Sequence, residues 1–432
     1  MQFYSTNNPT LQVSLEEAVF KGLPADNGLF MPLEIPLLPA SFFRDLQNLS
    51  FPEVAFAVAS TFLQGTIPPE DLRTIVDRAI NFPAPLVRLD EQTHILELTH
   101  GPSLAFKDFG ARFMAELMSY LNPDKQREII ILVATSGDTG GAVAAGFYRT
   151  PGIRVVILYP AGKVSPLQEK QLTTLGHNIT ALEIDGTFDD CQALVKRAFL
   201  DRELTQKMRL SSANSINIAR LIPQTFYYFE AYKQLPDKHT PVVFSVPSGN
   251  FGNLTAGILA KRMGLPVHKF IAATNVNDVV PEYLDTGVYQ PRPSVRTLSN
   301  AMDVGSPSNF SRMLHLYGST WNNLQNDVVG FAFDDRATEA AMREIDQKFN
   351  YTIDPHGAVG YLALHAYWKK YSPAQGIILE TAHPAKFLED VERILQKPIE
   401  VPARLQELKD RLKTSTTLEV DFEKFKDWLL HY

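Results

Sequence analysis

Three short stretches of the chain carry residue types that could do chemistry together. The first is His100-Gly101-Pro102-Ser103-Leu104-Ala105-Phe106-Lys107-Asp108-Phe109-Gly110, where Lys107 sits among Leu104, Phe106 and Phe109. An amine in apolar surroundings near a positive helix end is pushed toward its neutral form and becomes a nucleophile toward carbonyls. A lysine that merely snorkels from a helix start would look the same locally. The other two are glycine-rich turns. Ala134-Thr135-Ser136-Gly137-Asp138-Thr139-Gly140-Gly141 follows IIILV, and Pro247-Ser248-Gly249-Asn250-Phe251-Gly252-Asn253 follows VVFSV. Glycines let backbone amides approach a ligand closely, and a helix N-terminus favours an anion. Either turn alone could be an ordinary connection between strand and helix. Neither reads G-x-G-x-x-G or G-x-x-x-x-G-K-[ST], so a dinucleotide or a P-loop nucleotide is unsupported. A reactive lysine with two anion cradles suits pyridoxal 5′-phosphate (PLP). One cradle would hold the cofactor phosphate and the other the α-carboxylate of an amino acid.

These stretches need a scaffold. Short apolar runs recur at His94–Leu98, Ile129–Val133, Val155–Tyr159, Ile179–Ile184, Val242–Val246, Phe270–Thr274 and Ile377–Leu379. Helical patterns intervene, among them Lys107–Tyr120, Ala142–Tyr148, Asp189–Leu200, Leu254–Arg262, Ala337–Phe349 and Ala358–Lys370. The alternation predicts an α/β fold with mainly parallel sheets, and Ile/Val-rich runs suit strands buried on both faces. Ligands of such sheets sit beyond the carboxyl ends of the strands, where both turns lie. Residues 1–90 read as a helical N-terminal region with Ser14–Lys21 and Pro69–Ala79 as helices. Residues 91–390 read as a catalytic α/β core of two subdomains with the site between them, and 391–432 as a C-terminal helical segment.

Composition narrows the function classes. The 432 residues hold 41 Lys plus Arg against 48 Asp plus Glu, a formal charge of −7. A mildly acidic chain is a poor nucleic-acid binder. The single cysteine, Cys191, excludes an internal disulfide and a cysteine-built metal site, and reads as a small core residue. The ten histidines show no H-E-x-x-H or comparable ligand spacing, so no metal is expected. There is no long uncharged apolar stretch and no signal-peptide pattern, so the expectation is a cytoplasmic protein without membrane contact.

Several motifs together resemble the threonine synthase family, PLP enzymes of the type II (tryptophan synthase β-like) fold. They are HGPSLAFKDFGARF, TSGDTGGAVAAGF, NSANSINIARLIPQ, VPSGNFGNLTAG, NVNDVVP, LSNAMDVGSPSN and ETAHPAKF, in that order. The resemblance covers essentially the whole chain, including the N-terminal region of the longer bacterial and fungal forms. It implies a lyase that converts O-phospho-L-homoserine and water to L-threonine and inorganic phosphate, the last step of threonine biosynthesis.

The resemblance also implies roles. Lys107 would hold PLP covalently and act as general base. Ser248, Gly249, Asn250, Phe251, Gly252 and Asn253 would cradle the PLP phosphate. Thr381 of ETAHP would hydrogen-bond the pyridine nitrogen. Thr135, Ser136, Gly137, Asp138 and Thr139 would take the substrate carboxylate. A carboxylate side chain facing a bound carboxylate would repel it, so Asp138 should turn away and accept backbone N–H bonds. The departing phosphate requires a further anion site, for which Ser103, Lys163, Asn214, Ser215, Asn217, Arg220 and Lys386 are candidates. Arg220 and Lys386 could equally form ion pairs, and His100 and His383 read as structural. The stripe Phe106, Phe109, Phe113 and Leu117 reads as core that excludes water near Lys107. Two alternatives stand beside this reading. One is another type II PLP enzyme, of the serine dehydratase or cysteine synthase kind. The other is a catalytically silent homologue that binds phosphorylated ligands. The expected assembly is a monomer or weak homodimer.

Overall fold

The computed structural model describes residues 1–63 and 65–432. Each of the seven apolar runs is a strand, and each lies in one of two mainly parallel sheets. The larger sheet has the order Val328–Ala332, Lys269–Thr274, Val242–Pro247, Gln375–Glu380, Thr93–Glu97, Leu86–Arg88. All its pairings are parallel except the last, where Leu86–Arg88 runs against Thr93–Glu97. Its central strands Val242–Pro247 and Gln375–Glu380 are buried along their whole length. The smaller sheet is parallel throughout, in the order Thr416–Glu419, Ile179–Asp185, Ile153–Pro160, Ile129–Ala134, Arg209–Ser212. The predicted type II α/β scaffold is therefore present.

Helices cover both sheets. Lys107–Leu121 buries Phe109, Phe113, Met114 and Leu117, and packs on Asp138–Phe147, which follows the first glycine-rich turn. Phe109 meets Phe51, Phe82 and Tyr227 ring to ring, so Phe109, Phe113 and Leu117 of the predicted stripe are core, while Phe106 is half-buried and lines a cavity. Gly252–Arg262 follows the second turn and is buried over most of its length. Pro355–Lys370 lies on the larger sheet, starting from Asp354, whose side chain accepts the amides of His356 and Gly357. An N-cap carboxylate with Pro at the first helical position is a strong helix start. Cys191 is buried in the helix Phe188–Leu200, and burial pushes its thiol up to about 12, which leaves it unreactive.

Both ends of the chain hold strands that their helical reading omitted. The N-terminal region has the helices Leu15–Lys21 and Pro69–Ala79, but it opens with a three-stranded antiparallel sheet, Gln12–Ser14, Gln2–Ser5, Phe30–Pro32. The C-terminal segment has the helix Phe422–His431, preceded by Thr416–Glu419, which pairs with Ile179–Asp185 as the outermost strand of the smaller sheet. Strands this short carry too few apolar residues to announce themselves.

Candidate active site

The carboxyl ends of Ile129–Ala134 and Val242–Pro247 open into one cavity of about 950 Å³. Lys107 lines it, as do Thr135, Ser136 and Thr139, the 248–253 turn, and Thr381. Sequence reasoning thus brought together stretches that the fold also brings together.

Lys107 is the first residue of the helix Lys107–Leu121. The loop before it is tied to the strand end beyond Glu380. Phe106 N–H donates to Thr381 O at 2.9 Å and His383 N–H to Leu104 O at 3.0 Å, with Leu104 held at φ +59°. The lysine and Thr381 are thereby fixed relative to each other by backbone. Burial, with Lys386 and Arg220 nearby, outweighs Asp138 and lowers the Lys107 amine to about 8. At that value about a tenth of the amine is neutral at pH 7, several hundredfold more than for an ordinary lysine at about 10.4, which gives a nucleophile or base a usable free-amine population.

Asp138 does turn from the cavity, but its partners differ from the expectation. Its Oδ1 accepts from Gln168 Nε2 at 2.8 Å and pairs with Lys386 Nζ at 2.6 Å, rather than accepting backbone amides. Lys386 is wholly buried, and its Nζ also donates to Ser103 O at 2.9 Å. The two lysines hold the Asp138 carboxyl far below the usual carboxylate range despite its burial. A buried cation next to this helix start draws the carboxylate more strongly than neutral amides would. The helix amides are served instead by Thr135, whose Oγ1 accepts from Gly137 at 3.0 Å and Gly140 at 2.8 Å. Gly137 has φ +139°, and a Cβ there would lie 2.7 Å from the Gln168 amide. In this turn Ser136 and Thr139 remain half-buried and line the cavity.

The second turn is an anion cradle with its donors unspent. Among the described residues, the amides of Gly249, Asn250, Phe251 and Gly252 donate to no protein acceptor. Phe251 is left-handed, at φ +61°, which curls the turn into the helix Gly252–Arg262. Gly249 lies against the segment 300–302, where a Cβ would meet Ala301 O at 2.5 Å. The side chains serve as struts. Asn250 Nδ2 donates to Ser215 Oγ at 2.9 Å, and its Oδ1 accepts from Ser308 N at 2.6 Å. Asn253 Oδ1 accepts from the Tyr227 and Tyr228 hydroxyls, each at 2.7 Å. Ser248 spends its N–H on Ala273 O and its hydroxyl on Val246 O, both at 2.8 Å, so it offers the cradle no donor.

The candidates for a further anion site separate. Lys163 is exposed at the cavity mouth, and Asn214 and Ser215 line the wall. Asn214 is anchored through Nδ2 to Ala134 O at 2.9 Å. Arg220 reaches the cavity but is buried, and donates to the Ala213 and Lys107 carbonyls. Ser103 and Asn217 are corrections. Both are buried outside the cavity lining; Asn217 Nδ2 donates to Val19 O and Ser212 O, and its Oδ1 accepts from Ala219 N. His100 binds Glu97 at 2.8 Å, and His383 caps the turn Pro384–Phe387, in keeping with structural roles.

Sequence reasoning missed His356, which lines the cavity. Its Nδ1 contacts Asp354 Oδ1 at 2.5 Å, and its Nε2 accepts from Ala301 N at 3.2 Å. It therefore holds the segment that faces Gly249. The helical pattern read from the sequence begins at Ala358, so the helix start at Asp354-Pro355 and this contact both went unread. Thr381 lines the cavity, and among the described residues its hydroxyl makes no side-chain hydrogen bond to protein.

These features fit PLP: unspent amides for a phosphate, an amine of lowered basicity for an aldehyde, and an uncommitted hydroxyl for a ring nitrogen. Comparisons with known proteins agree. Residues 80–379 match the family model "Pyridoxal-phosphate dependent enzyme". Residues 2–80 match "Threonine synthase N terminus" and 357–429 "Threonine synthase, C-terminal". The chain is 47% identical to the threonine synthase of Escherichia coli (strain K12), over 100% of both chains. It is 36% identical to that of Saccharomyces cerevisiae, over 94% of this chain and 91% of the other. Among solved structures, the PLP-bound threonine synthase of Brucella melitensis superposes with a TM-score of 0.92 at 36% identity, covering 100% of this chain and 99% of that one.

Proposed function

The chain belongs to the threonine synthase family of PLP-dependent lyases, and on that premise we propose that its substrate is O-phospho-L-homoserine, which it converts with water to L-threonine and inorganic phosphate. The observation that carries the site assignment is the Lys107 amine, lowered to about 8, in one cavity with four unspent cradle amides.

When bound, PLP supplies the electron sink that makes protons at Cα and Cβ of an attached amino acid removable. Lys107 would hold the cofactor and, as a free amine, would carry protons to and from Cα and Cβ of the substrate with Nζ. The amides of Gly249, Asn250, Phe251 and Gly252 take the cofactor phosphate at the start of the helix Gly252–Arg262. The Thr381 hydroxyl would hydrogen-bond the ring nitrogen. A hydroxyl there, unlike a carboxylate, does not enforce ring protonation. Ser136 and Thr139 offer hydroxyls to the substrate carboxylate. Lys163 at the mouth, with Asn214 and Ser215 on the wall, receives the substrate phosphate. Asp138 supports the site from behind, by fixing Lys386 and tempering the neutralisation of Lys107.

The test is stoichiometry. Incubation with O-phospho-L-homoserine should release phosphate and form threonine one for one. Phosphate release without threonine would mark a simple eliminase of the dehydratase kind. Turnover of serine or O-acetylserine in preference would remove the proposed substrate.

A further inference from the structure

Arg312, in the helix Phe310–Leu316, heads the large side chains that are wholly buried. Its Nη1 donates to Ser215 O at 3.1 Å and Asn309 Oδ1 at 2.7 Å. Its Nη2 donates to Phe30 O at 2.9 Å and Ile216 O at 2.7 Å. Nε has no partner. Every acceptor is neutral. Burial is all that moves the group, pushing it down to about 9, and no carboxylate pulls it back. A buried charge without a counter-ion is costly and is normally paired.

The guanidinium lies one residue behind the cradle. Two of its partners abut Gly252, where a Cβ would stand 3.5 Å from Asn309 Nδ2 and 3.5 Å from Ser215 Cβ. The Ser215 hydroxyl also accepts Asn250 Nδ2 at 2.9 Å and Asn309 Nδ2 at 3.3 Å. The same side chain reaches Phe30 in the N-terminal sheet.

We propose that Arg312 is a positioning residue whose counter-ion is the phosphate group seated on the amides of 249–252. It braces Ser215 and Asn309 against the turn, and its charge favours the dianion without touching it. This rests on reading 248–253 as the phosphate cradle. It also makes the N-terminal sheet part of the cofactor site, through Phe30.

The test compares pyridoxal phosphate with pyridoxal, which differ only in the phosphate, by titrating the full chain freed of cofactor. In the parent chain the phosphorylated form should bind far more tightly. In Arg312→Met that preference should fall by about tenfold or more, with pyridoxal affinity kept, as loss of a charge in a low-dielectric setting requires. Arg312→Lys keeps the charge and should keep the preference. An unchanged preference in Arg312→Met, or an equal loss for both ligands, overturns the inference. If Arg312→Met does not fold, inorganic phosphate decides. It should raise the melting temperature of cofactor-free Arg312→Lys as it does for the parent, and loss of that shift overturns the charge role. A parent chain with no preference for the phosphorylated ligand would instead sink the cradle reading, a separate failure.

Discussion

The reactive amine is governed by a buried charge triad of Lys107, Asp138 and Lys386. Lys107→Ala should abolish the visible absorption of the bound cofactor and all threonine formation, read by spectrum and product assay. Asp138→Asn is more informative. The carboxylate raises the Lys107 value, and its loss also leaves Lys386 unopposed, which lowers it further. Both effects keep the amine neutral to lower pH. The acidic limb of the pH profile for cofactor attachment should therefore move acidward in Asp138→Asn. A limb that stays or moves alkaline would refute the triad. Stability follows the other sign. A carboxylate with a lowered folded value stabilises above its unfolded value of about 3.9 and loses that contribution as pH falls. Breaking a buried pair by removing one partner costs about 3–5 kcal/mol, so Asp138→Asn should also melt earlier at neutral pH. Lys107 and both turns were legible because their setting is local: a lysine between aromatics, and glycines after apolar runs. The Asp138–Lys386 pair was not, because its members lie far apart in the chain and only the fold puts them 2.6 Å apart. Arg312 was invisible for the same reason, since nothing near it in sequence distinguishes it from a surface arginine.

At the level of elements, the strands that an apolar run reveals are the interior ones. Leu86–Arg88, Val328–Ala332, Arg209–Ser212 and Thr416–Glu419 went unread, and these four are the edges of the two mainly parallel sheets. An edge strand is covered on fewer sides, so its sequence keeps polar residues and, in Val328–Ala332, a glycine. The longer helices such as Lys107–Leu121 and Asp335–Phe349 were legible from their periods, whereas Phe51–Leu63 and Phe226–Gln234 went unread. The turns between elements are where a small change should do most. In Gly249→Ala the added carbon would meet the Ala301 carbonyl at 2.5 Å, a backbone atom that cannot swing away. The segment 300–302 must shift, and the His356 contact to Ala301 N must stretch with it. We expect a stability loss of about 1–3 kcal/mol, as for other overpacked sites. We also expect faster release of cofactor, measured by loss of visible absorption on dilution. A variant that binds cofactor like the parent would mean the wall does not shape the cradle.

On the scale of the whole molecule, the two ends of the chain complete structures begun elsewhere. The N-terminal sheet is bolted to the core through Arg312, and the C-terminal segment finishes the smaller sheet. Thr416–Glu419 pairs with Ile179–Asp185, and the helix Phe422–His431 buries Phe422, Phe425 and Leu429 against Leu182, Ile184 and Leu194. Tyr432 ends the chain under Arg154, whose guanidinium stands 3.6 Å from the ring centroid, and its hydroxyl bonds Thr180 Oγ1 at 2.7 Å. Lys413, which pairs with Glu169 and Glu183, leads into this segment. Removing residues 414–432 would strip three buried apolar side chains, worth about 1.5–3 kcal/mol each, from the face of a sheet. It would also expose Ile179–Asp185 as an unpaired edge, a template for association with other chains. Such a chain should melt well below the parent and aggregate on concentration, measured by scanning calorimetry and light scattering. The larger sheet, with the cradle, Lys107 and Thr381, has no strand in the removed segment. Loss of cofactor binding should therefore follow the unfolding of the smaller sheet rather than precede it. A truncated chain that melts with the parent and stays monodisperse would show the segment to be an ornament on a sheet already complete.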